Sequence, residues 1–102
     1  MNELSEQRLQ TLIEEATVDA YGEDEQLTGF YTMIADHLAL PFETTLLGVT
    51  VTVASVDLTG DQIIAWCTRG PHRQAIAILD LPLPTPAPDG AEWISAYQHW
   101  AT

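Results

Sequence analysis

With 102 residues and 46% hydrophobic side chains, the chain is long enough to bury one modest core and too apolar to remain disordered. Fifteen acids stand against Arg8, Arg69 and Arg73, there is no lysine, and the net charge is −12. Such a field repels nucleic acid and anionic membranes and attracts cations or basic partners.

The opening MNELSEQRLQ is acidic and lacks the basic flank and apolar centre of a signal peptide. No apolar run approaches a membrane span. Cys67 is the single cysteine, which excludes an internal disulfide and suits a reducing compartment. A single-domain, soluble, cytoplasmic protein is expected.

Residues Leu4 to about Tyr21 are predicted to form an amphipathic helix, because Leu9, Leu12, Ile13, Ala16 and Ala20 recur at helical spacing. Gly22 is a natural stop for it. A second helix is expected from about Gln26 to Leu38, with Leu27, Phe30, Tyr31, Ile34 and Leu38 inward, and Pro41 ending it. Gly29 counts against the first turn of that helix. Beyond Phe42 the period becomes that of strands: FETTLLG, VTVASVDL, QIIAWCTR after the turn Leu58–Asp61, and RQAIAILDL after Gly70-Pro71. LPLPTPAPDG is an extended strap without P-x-x-P spacing. The last segment, AEWISAYQHW, predicts a helix with Trp93, Ala96, Tyr97 and Trp100 on one face, and Asp89 with Glu92 resembles a capping box. The sum is an α+β domain. Two N-terminal helices pack on a small four- or five-stranded antiparallel sheet, curled or closed as an SH3-like barrel, and a C-terminal helix follows the proline strap.

Eight of the fifteen acids (Glu3, Glu6, Glu14, Glu15, Asp19, Glu23, Asp24 and Glu25) lie in the first quarter of the chain. Glu15, Asp19 and Glu23 stand four apart, so they are expected to line one edge of the first helix and its exit. Like charges at that spacing cost roughly 0.2–0.5 kcal/mol per pair, and a helix C-terminus further disfavours carboxylates. A bound cation would relieve both penalties. A solvated acidic surface, including salt adaptation, explains the same composition, and Asp24 or Glu25 could cap the second helix.

A cation held by carboxylates, carbonyls and water would be a hard ion, calcium above magnesium. The segment is no EF-hand: counted from Asp19, the third position is Tyr21, the fifth Glu23, and the sixth Asp24 where glycine is required. Asp57 and Asp61, flanking Leu58-Thr59-Gly60, form a second candidate, although aspartate is also a common turn residue. Catalytic constellations are missing. His37, His72 and His99 are scattered, Cys67 sits in an apolar strand, and no glycine-rich phosphate loop occurs. No enzymatic activity is expected. Arg69 and Arg73 form the one basic patch, as a partner for the acids or as a contact surface.

EEATVDAYGEDEQLTGFYTMI, LPFETTLLGVTVTV and ILDLPLPTPAPDGAEWISAYQHW resemble the small acidic calcium-binding proteins first described in cyanobacteria, the CcbP-like family. The resemblance runs from about Leu12 to Trp100 and implies a cytosolic calcium buffer without EF-hands. It also implies two Ca2+ sites of carboxylate and main-chain oxygens, and a compact fold of helices and a small barrel. Carried onto this chain, it points to Asp19, Glu23, Asp24 and Glu25, with Glu15, Asp57 and Asp61 as further candidates. The alternative, from another class, is an acidic interaction module that docks on a basic protein without metal.

Overall fold

The computed structural model describes residues 4–102. Glu3, one of the eight N-terminal acids, lies outside them. The chain forms α1 (Glu6–Ala16), α2 (Glu23–His37), β1 (Phe42–Leu46), β2 (Val49–Thr59), β3 (Gln62–Arg69), β4 (His72–Ala77), a 3-10 turn (Ile78–Asp80) and α3 (Glu92–Ala101). The four strands make one antiparallel sheet in the order β1-β2-β3-β4. Of the two forms expected, curled sheet or barrel, the sheet is open, with β1 and β4 at its edges. The α+β expectation holds.

α1 starts where Ser5 Oγ accepts the Arg8 N–H at 3.0 Å, satisfying one donor of the first turn. It ends five residues earlier than the predicted Tyr21. Both the amide and the hydroxyl of Thr17 donate to the Ile13 carbonyl, at 3.0 and 2.7 Å, which closes the last turn. Asp19 then takes a left-handed conformation, φ 62°, and the helix cannot continue through it. Gly22 does not stop α1; it stands in extended conformation as the N-cap of α2. α2 therefore begins at Glu23, three residues before its expected start, and takes Glu23, Asp24 and Glu25 into its first turn.

Gly29 also has a packing reason. A Cβ at this position would run into the Ala16 carbonyl oxygen, so α1 and α2 cross in backbone contact there. The predicted inner faces hold around that crossing: Leu12, Ala16, Leu27, Phe30, Ile34 and Leu38 are buried. α3 closes the cluster with Trp93, Ile94, Ala96 and Tyr97. The Phe30 ring meets Tyr97 at 5.7 Å and Trp100 at 5.1 Å, both tilted.

In β2 the pairing shifts between Val53 and Ser55, a bulge. Val53 faces Cys67, Val56 faces Ala65 and Leu58 faces Ile63. The extra residue thus keeps Val51, Val53, Val56 and Leu58 on one side although their numbers change from odd to even. That inner side packs on the helices at one end and, through Val53, Ala65 and Cys67, on Leu81 of the strap in the middle. β4 is shorter than predicted, because Ile78–Asp80 turn to lead into the strap. The expected capping box is not formed: Ala91 is the N-cap of α3, without a side-chain bond. Instead the Asp89 carbonyl accepts from Ala39 N–H at 2.8 Å, tying the end of the strap to the exit of α2.

Candidate functional site

The acidic residues are distributed over two helix ends and the link between them. Glu14 and Glu15 occupy the exposed last turn of α1, next to the buried Ala16. Asp19 lies in the link, exposed. Glu23, Asp24 and Glu25 make the first turn of α2, all exposed. The expected common edge of Glu15, Asp19 and Glu23 is not there, because helical periodicity lapses between Ala16 and Glu23 and only Glu15 belongs to α1. The electrostatic balance changes with it. Carboxylates 23–25 sit at the positive end of the α2 dipole, where each gains about 0.3–1 kcal/mol, and only Glu14 and Glu15 remain at the unfavourable end of α1.

Glu25 has a structural task. Its Oε1 accepts the Tyr21 N–H at 3.0 Å, across the N-cap Gly22, so it pins the link to α2 as the returning half of a capping box does. Ala20 N–H donates to the Thr17 carbonyl at 3.0 Å and tightens the same link. Neither Asp24 nor Glu25 is the N-cap residue, which is Gly22; Glu25 contributes only the returning bond to Tyr21 from within the helix. The link carries donors of one type, the carboxylates of Asp19, Glu23 and Asp24 and main-chain carbonyls, of which those of Thr17 and Gly22 accept from Ala20 and Gln26 N–H. This donor type fits calcium. It is not a closed cage: among the described residues no three His, Cys, Asp or Glu side chains converge where an ion could be held.

Asp57 and Asp61 lie at the β2–β3 end of the sheet, both exposed. Asp57 Oδ1 accepts the adjacent Leu58 N–H at 2.8 Å, the local bond that makes aspartate frequent near turns. Asp61 is within electrostatic reach of Tyr97 on the C-terminal helix. Burial pushes the Tyr97 phenol above its ordinary range, the hydrogen bond to the Ile63 backbone pulls it down, and the Asp61 carboxylate adds to the rise. Cys67 is buried on β3, and desolvation raises its thiol, the behaviour of a core residue.

Sequence reasoning missed the anchor that joins this acidic link to the core. Gln26 Oε1, one residue after the acids, accepts the Trp100 indole N–H at 2.9 Å. A pairing across 74 positions has no local signal.

A family model described as "Calcium binding", for CcbP-type proteins, matches residues 8–101. That is nearly the whole chain, and the chain belongs to this family. No curated protein and no solved structure matches it significantly. No described helix is long and apolar enough to cross a membrane.

Proposed function

We propose that the chain binds calcium reversibly at the α1–α2 link, with low to moderate affinity, as a cytoplasmic buffer or sensor. The observation that carries this is the link itself in a chain of a calcium-binding family. Asp19, Glu23 and Asp24 set three carboxylates along a short segment whose two ends are held, by Ala16 against Gly29 and by Gln26 on Trp100. Asp19 and Glu23 supply the first charges, Asp24 and main-chain carbonyls complete the set, and Glu15 borders it. Glu25 holds the link in place, with its second oxygen free to contribute.

Exposed carboxylates that do not yet converge must lose side-chain freedom when they bind. That cost lowers affinity relative to a preformed cage, and it separates this site from the tight buffers that calcium loops can form. Bound ion stabilises the fold by mass action, about 2.7 kcal/mol at a free concentration one hundred times Kd. Asp57 and Asp61 with the turn carbonyls form a second, weaker site of the same donor chemistry.

Competition with a fluorescent calcium chelator tests the assignment. Asp19→Asn combined with Glu23→Gln and Asp24→Asn should remove the stronger binding step and lower the melting temperature in chelator slightly, through the lost interaction of Glu23 and Asp24 with the α2 dipole. Asp57→Asn with Asp61→Asn should affect only the weaker step. Unaltered competition by the triple variant would move the strong site elsewhere.

A further inference from the structure

The inner side of the sheet is covered by helices at one end and by the strap in the middle, but not at the hairpin end. There the side chains of Leu46, Val49, Val51 and Ile76 floor a groove of about 640 Å³, rimmed by Arg69 and His72, with no carboxylate in its lining. In a chain of net charge −12 this sets one of the three arginines, with a histidine beside it, at an apolar groove. Arg73, paired with Thr68, projects to the opposite face of the sheet, where its guanidinium is 3.8 Å from the centre of the Trp66 ring. Asp57, opposite Ile64, is five residues along the sheet from Arg69, roughly 17 Å at strand rise, and Asp61 is farther, both beyond a Debye length.

Leu47, at the tip of the β1–β2 hairpin, makes this end unusual. Leu47 and Gly48 both have positive φ, 52° and 78°, the pair of conformations for which hairpins favour Asn-Gly. A leucine is strained there, and this one is 97% exposed on the groove's edge. Local turn chemistry and core packing give no reason for it. An apolar contact with something outside the chain does. Beside the groove, β4 is an edge strand whose residues His72–Ala75 are exposed, so its free main-chain edge can hold an extended segment.

We propose that the groove docks an extended segment of another protein that carries carboxylates among aliphatic side chains. Its aliphatic groups seat on Leu46, Leu47, Val49 and Ile76, and its acids meet Arg69 and His72. A second copy of this chain is disfavoured as occupant because two bodies of charge −12 repel.

The test is selection of a random nonapeptide display library on the chelator-treated protein, followed by affinity measurement of the enriched peptide. The expected consensus pairs Asp or Glu with Leu, Ile or Val. Its affinity should fall at least tenfold in R69Q/H72Q and decrease with monovalent salt. Leu47→Asn separates fold from docking: it suits the turn, so it should melt at or above the parent while binding the peptide at least fivefold more weakly. A basic or purely polar consensus, no enrichment, or peptide affinity unmoved by these substitutions overturns the proposal. So does a parent dimer in sedimentation that Leu47→Asn dissolves, which would make the occupant a second copy.

Discussion

Gly29→Ala is the substitution for which the structure and local propensity disagree most clearly. In an unobstructed helix interior the change is worth about 1 kcal/mol of stability. At position 29 the new Cβ is driven against the Ala16 carbonyl oxygen, a backbone atom that cannot swing aside like the end of a long side chain. Relief requires α1 and α2 to separate, and overpacking of that kind costs about 1–3 kcal/mol. Taking the upper value, because backbone must move, leaves a net loss of about 2 kcal/mol. For a chain of this length that is a fall of roughly 10 °C in Tm. Thermal unfolding followed by circular dichroism measures it, with the exposed neighbour substitution Thr28→Ala as a control that should shift Tm by only a degree or two. The same displacement moves the last turn of α1 relative to α2, so calcium affinity should weaken as well. A Gly29→Ala protein that melts at or above the parent would refute the crossing and the rigidity it lends to the acidic link.

Trp100→Phe removes the donor to Gln26 and leaves a half-buried acceptor unpaired, so it should cost about 1–3 kcal/mol in chemical denaturation. In Gln26→Leu, any change of tryptophan emission on adding calcium should shrink, because the bond joining Trp100 to the acidic turn is gone. Ser5→Ala deletes the α1 cap and should lower stability by about 1 kcal/mol in urea unfolding. Tyr97 is held neutral by burial, with a folded pKa above the unfolded value of about 10; the unfolded state therefore releases its proton first as pH rises. Its contribution is complete below about pH 10 and is lost as pH climbs through the folded value, so Tyr97→Phe should decline less steeply on the alkaline side of a stability–pH curve. An unchanged alkaline slope would remove Tyr97 from that account.

Periodicity identified the helix faces because burial of Leu12, Leu27, Phe30 and Ile34 follows from spacing alone. The strands were equally legible, and the change from Val53 to Val56 in the apolar series already contained the bulge. What misled was the link. A run of apolar positions through Ala20 suggested one long helix, whereas Thr17 closes it and the Ala16–Gly29 contact, a tertiary fact, sets where the two helices meet. Because the acids belong to two helix ends, their composition announced a cation-seeking region without showing how its carboxylates are distributed. Asp89 and Glu92 had the spacing of a box, but the Asp89 carbonyl is engaged by Ala39 and Gly90 turns the chain at φ 89° before α3 begins. The groove was not legible from the two arginines around a turn, since its lining comes from residues on all four strands and only Arg69 turns to that face.

The most direct measurement of the central claim is calorimetric titration of the chelator-stripped protein with calcium, at near-physiological salt and in excess magnesium. Calcium binding at the α1–α2 link predicts saturable heat with a stoichiometry of about one or two, reduced by the Asp19, Glu23 and Asp24 substitutions. A trace flat to millimolar calcium, or heat that magnesium abolishes, would contradict it.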